Sequence, residues 1–396
     1  MLKSEKVKVV TAGFIFDLFT MTFGRFAYTL ILPDMKNSLN LSNTIMGFFG
    51  MGIVAGYLLN SFLSGKLSEI IGEKRTAKIS VFISSVALFL LGFSTNVVVL
   101  FIAFLLIGAG ASGSYVPMIG LVNKIFRKKG PIFGLIMGGT GVGIVLTGYF
   151  VPIIILNFGY KIAWYTLSMI NLIGFIVGMV LLREKDFKPS VHKNKKGESI
   201  IEIFSQNRPL KNTILIYFLL GFAYVIYATF FGDYSINEVG FSEKSTGYMW
   251  SFFGINTIYS GVLWGYLGEK GDKVKSALLV NILLLISIMI VVLFRIQILF
   301  YLSTFLFGLA FMGFIILITS LISDEVKPSQ MAKIFGTSTL LHGSGQVIAT
   351  SISGYLKDIT GTFKVSFSLS VLALCVNIFL LLKLSTLLKK KNSFES

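Results

Sequence analysis

The stretch Gly65-Lys-Leu-Ser-Glu-Ile-Ile-Gly-Glu-Lys-Arg75 returns, weakened, as Gly265-Tyr-Leu-Gly-Glu-Lys-Gly-Asp-Lys273, an offset of 200 positions in a chain of 396. Each copy is a short charged link between two long apolar runs. A chain that repeats one polar hinge at the same place in each half, with only apolar runs around it, is confined to a membrane architecture of two related halves. Gly65, Leu67, Glu69, Gly108 and Gly143 align at this offset with Gly265, Leu267, Glu269, Gly308 and Gly343. The run around Glu69 and Glu269 carries the repeat, because 40 glycines supply chance matches.

Charged residues make up 13% of the chain, hydrophobic ones 54%, and the mean hydropathy is +0.81. Soluble domains carry about 25% charged residues, so the apolar excess is matched to lipid rather than to an aqueous core. The formal net charge of +17 does not make a nucleic-acid surface. The lysines and arginines sit in short links between apolar runs, as cytoplasmic loops do. The one cysteine, Cys375, lies in an apolar run, which leaves no disulfide framework. The basic start, Met1 to Lys8, precedes an apolar run too long for a cleavable signal and without a small-residue cleavage site. It reads as an uncleaved first span.

A helix needs about 20 apolar residues to cross the hydrocarbon core. By that measure about twelve spans are expected, near 9–32, 43–64, 77–94, 97–122, 131–156, 161–182, 212–232, 244–266, 276–294, 298–323, 335–356 and 365–388. The expected fold is therefore an all-α integral membrane protein: twelve transmembrane helices in two six-helix bundles with pseudo-two-fold symmetry. Residues 1–182 form the first bundle, 183–211 a polar linker and 212–396 the second bundle. Within the linker, Ser199 to Ser205 reads as a short interfacial helix. About 28 of the 35 basic residues fall on one set of links, which places that set and both termini in the cytoplasm of a cell-membrane protein.

Gly65, Leu67, Gly72, Lys74 and Arg75 match the Gly-x-Leu-x-Asp-x-x-Gly-x-Lys/Arg pattern between spans 2 and 3 of the major facilitator superfamily, with Glu69 in place of the Asp. On that pattern the whole chain resembles this superfamily. Gly24-Arg-Phe-Ala-Tyr-Thr-Leu-Ile-Leu-Pro-Asp-Met35, with His342-Gly-Ser-Gly-Gln346 and Gly354-Tyr-Leu-Lys-Asp-Ile-Thr-Gly-Thr-Phe363, is similar to its YbfB/YjiJ-like branch. Two departures stand out. Phe104 occupies the place where many relatives carry an arginine in span 4, and glycine-rich span 5 lacks the Gly-Pro pair of typical antiporters. The resemblance implies a gate built on Gly65, Glu69, Gly72 and Arg75 and, more weakly, on Gly265 and Glu269. The acid would cap a helix N-terminus across the bundle interface and pair with a nearby base, an attraction of about 0.3–1 kcal/mol. The alternative is an ordinary solvated turn.

Two charges fall inside span 1, which the resemblance places on the central cavity. A charge at mid-membrane costs several kcal/mol unless paired or hydrated. Arg25 and Asp17 are roughly 12 Å apart along a helix and need separate partners. Arg25 offers a planar fork for a carboxylate or phosphate, and the bland alternative is snorkelling to headgroups. Asp17 is the expected proton carrier, against a purely structural hydrogen bond. His342 and Gln346, four apart, share a face of span 11. His342 is a second candidate for proton coupling and for substrate, against close helix packing through Gly343 and Gly345. Tyr28, Tyr115, Tyr224, Tyr227, Trp250 and Asn256 are candidate cavity anchors, although most aromatics in such a chain face lipid or neighbouring helices.

These readings point to a secondary transporter working by alternating access, most simply a proton-coupled carrier of small organic anions. Export of amphipathic drugs or metabolites by proton antiport is the alternative. The expected partners are a small-molecule substrate, protons and the lipid bilayer, for a monomer without nucleic acid. No enzymatic activity and no cofactor are expected: no Gly-x-x-x-x-Gly-Lys-Ser/Thr loop is present, and two histidines, His192 and His342, do not make a metal cluster.

Overall fold

The structure is a computed structural model that describes residues 3–126, 130–183, 207–327 and 330–395. Every regular element among them is a helix. Helix α1 has three consecutive parts: Lys3–Phe16, a wide-turn π-helical part Asp17–Phe26, and Tyr28–Leu39. Then follow α2 (Asn43–Ile71), α3 (Glu73–Phe93) and α4 (Val97–Ile125). The Gly130–Leu181 run is broken at Gly159, where φ is +75°, into α5 (130–158) and α6 (160–181). The second half comprises α7 (Arg208–Asp233, extended by Tyr234–Glu238), α8 (Glu243–Lys270), α9 (Lys273–Leu293), α10 (Gln297–Asp324), α11 (Met331–Thr360) and α12 (Lys364–Glu395). The expected interfacial helix at Ser199 to Ser205 and most of the linker lie outside the described residues.

Nine described stretches are long and apolar enough to cross a membrane, and one of them, Ile132–Leu181, holds both α5 and α6. Helices α8 and α11 are of span length but carry more polar residues. Both pack against the other half, so part of their surface meets protein rather than lipid. The link chemistry sets the helix starts: Ser42, Asn96, Asn207, Ser242 and Asp272 each accept a backbone N–H of the first turn they precede.

The repeat is carried into three dimensions at the same offset. Helices α2, α3 and α4 begin 200 positions before α8, α9 and α10. Ser42 and Ser242 cap equivalent helices. Asn60 donates to the Ala109 carbonyl and Ser260 to the Leu309 carbonyl. Gly108 lies against the Ile53 carbonyl as Gly308 does against that of Phe253. Glu73 pairs with Lys124, and at the equivalent places Lys273 pairs with Asp324 at 2.6 Å. The ion pair that ties the third helix of each half to the fourth has thus been kept with its polarity reversed.

The face carrying the N-terminus and the 65–75 link is the basic face, and the opposite one the far face. At the far face the halves are joined. Lys36 reaches both Asp233 oxygens, at 3.0 and 2.8 Å, and Asn43 at 3.0 Å. Thr29 donates to the Ala228 carbonyl. Asp358, at the end of α11, accepts from the backbone and side chains of Asn43 and Thr44 and so caps α2 from the other half.

The glycines along the seams show where contact stops. A Cβ at Gly47 of α2 would lie 2.5 Å from the Thr350 carbonyl of α11, and one at Gly343 would lie 2.5 Å from Leu58. One at Gly65 or Gly336, nearer the basic face, would meet nothing among the described residues within 4 Å. Helices α5 and α8 behave alike: Gly148 and Gly247 touch, whereas Gly134 has open space. The seams are zipped at the far face and parted at the basic face, so the space between the halves opens toward the basic face.

Candidate functional site

The π-helical part of α1 holds both of its membrane-embedded charges. Its closing turn is widened to the Ala27 N–H to Thr22 carbonyl bond, at 2.9 Å. Such widened turns are uncommon and concentrate at functional sites. Thr20 bonds back to the Phe16 carbonyl and across to Ser114, fixing this part against α4.

Arg25 points inward rather than to headgroups. Its guanidinium donates to the Tyr224 hydroxyl at 2.7 Å and to Gln346 Oε1, joining α1 to α7 and α11 across the two halves. It also lies over the rings of Phe26 and Tyr224, 5.8 and 5.9 Å from their centroids. Among the described residues no carboxylate pairs with it. A half-buried guanidinium held only by neutral groups keeps donors and charge for a ligand anion.

Gln346 and His342 share one face of α11. The His342 ring stacks on Tyr217 at 4.0 Å and lies 5.7 Å from Tyr224. Its Nδ1 is 2.7 Å from the Tyr217 carbonyl, which can only accept, so Nδ1 carries the proton and Nε2 is the free position. Close packing sets this geometry. Gly221 of α7 lies against the His342 backbone and Gly345 of α11 against the Phe218 carbonyl. Tyr57 of α2 is within electrostatic range of Arg25, Asp17 and Tyr224. Tyr115 is in range of Tyr57, Asp17 and Tyr217. Both tyrosines remain partly accessible. A small cavity of about 10 Å³ lies beside Arg25, lined by Tyr28, Ile53, Val225 and Thr229 among others.

Asp17 lies apart from Arg25, 4% exposed, between α1 and α5. One oxygen, Oδ2, accepts from both the backbone N–H and the hydroxyl of Thr140, each at 2.8 Å. Among the described residues nothing donates to Oδ1, which leaves a position for a proton. Asp17 and Arg25 do not pair, as their spacing requires.

The remaining candidates fall elsewhere. The Tyr28 hydroxyl is engaged by the Met46 carbonyl, and its ring packs on Phe104. Tyr227 bonds Ser303 and stacks on Phe307 inside the second half. Asn256 is tied to the Phe252 carbonyl and to Tyr259, and Trp250 packs on Phe253. Phe104 sits among Tyr28, Phe49 and Trp164, so the place of a family arginine is filled by an aromatic cluster.

The expected gate residues Gly65, Glu69, Gly265 and Glu269 lie near the ends of α2 and α8. Gly72, with φ +93°, makes the turn between α2 and α3. Glu69, Arg75 and Glu269 are exposed, and among the described residues neither glutamate is in an ion pair. The buried acid of the link is Glu73, and Lys74 beside it, 2% exposed, pairs with Glu5 at 3.6 Å. Gly65 has open space and Gly265 only Ile316 of its own half.

A membrane fold of two related helical halves, with an opening on one face and polar side chains from both halves at its end, defines a transport protein. Residues 15–350 match the family model described as Major Facilitator Superfamily, and the chain belongs to that superfamily. It is 22% identical to the hexuronate transporter of Bacillus subtilis, over 93% of this chain and 92% of that one. Its identity to monocarboxylate transporter 12-B of Danio rerio is 23%, over 85% and 80%. Among solved structures it is similar to the nucleoside transporter NupG, with a TM-score of 0.71 at 16% identity over 98% of this chain and 100% of that one.

Proposed function

We propose that the protein is a carrier of small organic anions, working by alternating access and coupled to protons, with both termini in the cytoplasm and the basic face opening there. The observation that supports this most is Arg25: a guanidinium between the halves, held by Tyr224 and Gln346 and, among the described residues, matched to no carboxylate. A substrate carboxylate would supply that missing partner and touch both halves at once. The relatives point the same way, since hexuronates and monocarboxylates both carry a carboxylate. His342 Nε2, Tyr57 and Tyr115 are the polar groups left to recognise the rest of the molecule. Asp17 is the proton carrier in this reading, its free Oδ1 taking the proton while Thr140 holds Oδ2. The Gly24-Arg-Phe-Ala-Tyr28 segment and His342-Gly-Ser-Gly-Gln346 place the chain, within this reading, near the YbfB/YjiJ-like branch.

Purified protein in liposomes tests the reading. Uptake of a hexuronate or of lactate should appear under an inward proton gradient. Arg25→Gln removes charge-assisted hydrogen bonds of about 1.5–3 kcal/mol, a loss of roughly 10- to 150-fold in apparent affinity. Unchanged anion uptake in Arg25→Gln, or transport confined to amphipathic cations, would sink the anion-carrier reading and favour drug or metabolite export.

A further inference from the structure

At the basic face, α7, α11 and α12 leave a groove on the outside of the protein, away from the space between the halves. It holds about 710 Å³. Its walls are apolar, with Leu215, Phe218 and Leu341 along its length, and Leu215 and Leu341 are 46% and 38% exposed. Its rim is cationic: Arg208 and Lys211 from the start of α7, and Lys383 from α12. Asn212 holds these helices in register by donating to the Leu380 carbonyl at 2.7 Å. Among the described residues no acid lines the groove, and none of the three cations is in an ion pair.

The position of two of these cations is informative. A helix N-terminus carries partial positive charge and favours acids in its first turn. Arg208 and Lys211 place like charge there, where helix stability alone disfavours it. An anion seated between them, Lys383 and the helix end would remove that conflict. The space below the rim is walled by apolar side chains, two of them, Leu215 and Leu341, exposed, which suits a hydrocarbon chain attached to the anion.

We propose that this groove binds an anionic phospholipid. Its phosphate sits among Arg208, Lys211 and Lys383, and one acyl chain lies along Leu215, Phe218 and Leu341. Basic pockets between transmembrane helices are suited to such headgroups, each nearby cation adding to the attraction. The bound chain would lie directly behind the proposed substrate site, because Leu341 precedes His342 and the Phe218 carbonyl packs on Gly345.

The test is native mass spectrometry of the full-length protein in detergent, titrated with a phosphatidylglycerol or with a phosphatidylcholine of the same chains. One variant replaces three rim cations (Arg208→Gln, Lys211→Gln, Lys383→Gln). A control removes two charges elsewhere on the same face (Lys66→Gln, Lys270→Gln). A third, Leu215→Trp, fills the groove with the rim intact. The rim variant should bind phosphatidylglycerol about a hundredfold more weakly, the control should bind like the parent, and Leu215→Trp should also lose affinity. Equal binding by rim variant and control would overturn the site. Full displacement of the lipid by inorganic phosphate at equal concentration, with Leu215→Trp unaffected, would show a free-anion site and overturn the lipid assignment. If the rim variant does not fold, Leu215→Trp decides alone: unchanged phosphatidylglycerol affinity refutes the proposal.

Discussion

Replacing Asp233 with Asn should open the far face. Asp233 is 1% exposed, and Lys36, on the other half, is 13% exposed. The pair exists only while α1 and α7 meet, so what it contributes biases the equilibrium between the conformation seen and one opened at the far face. Breaking a fully buried pair by removing one charge costs about 3–5 kcal/mol. Lys36 keeps some surface and its bond to Asn43, and the new amide can still accept from it, so about 2–3 kcal/mol is the better figure here. That corresponds to a gain of roughly 30- to 150-fold in the far-open to far-closed ratio. The assay is labelling of a single cysteine at position 229, which is 7% exposed beside Gly50 in the closed seam, with Cys375 replaced by Ser. A membrane-impermeant maleimide added from the far side should label Thr229→Cys slowly in the parent and faster by that factor in the Asp233→Asn background. Removing both charges, Lys36→Ala with Asp233→Ala, should return part of the way, because no orphaned charge remains. Labelling that is equally slow in parent, single and double variants would refute the reasoning that this pair holds the halves together.

Four further outcomes follow from the same geometry. Asp17→Asn should keep substrate exchange and abolish accumulation driven by a proton gradient; if accumulation survives in liposomes, coupling lies elsewhere and His342→Gln is the next variant. Gly47→Leu should mimic Asp233→Asn in the labelling assay, since a Cβ there already lies 2.5 Å from the Thr350 carbonyl. The Asp358 carboxyl lies beyond the apolar part of α11. Its slight burial would raise it, but donors from Thr44 and Asn43 outweigh that and hold it below the ordinary carboxylate range. Its contribution to far-face closure is therefore present above about pH 4 and lost as pH falls through its lowered value. Asp358→Asn should flatten the acid dependence of labelling at position 229. Lys124→Glu should cost about 1–2 kcal/mol of stability by setting two acids together, and adding Glu73→Lys should restore it, read by thermal unfolding in detergent.

The helices were legible because lipid imposes one rule on every span: a long apolar run with polar ends. The link between α2 and α3 and its repeat gave the relation between the halves, and the pairs at Glu73 and Lys273 extend it to the ends of α4 and α10. Arg25 was legible as a charge without a local partner, and its choice of Tyr224 and Gln346 over headgroups required the three-helix geometry. Other parts were out of reach. Tyr57 and Tyr217 are two of 15 tyrosines, and no spacing sets them apart. Tyr57 does share a face of α2 with Gly50 and Ile53, a signal readable only once that face is known to meet the other half. Thr140 as the partner of Asp17 depends on how α5 lies on α1. Glu69 stands out on motif grounds over Glu73, yet burial falls on Glu73 because α3 begins there and faces Lys124.

The parted ends of the seams carry a consequence for how the sequence is written. Among the described residues Gly65, Gly134 and Gly336 touch nothing across the gap, so a larger residue at each would fit there. They sit in the same rows as Gly47, Gly148 and Gly343, where the other half leaves no room. In the proposed alternating-access cycle, a row of small residues that continues past the point of contact would serve a second fit, the one in which the opposite end is shut. On that proposal the rows serve two docked shapes, and a library of large residues along each row would separate the positions that serve one shape from those that serve the other.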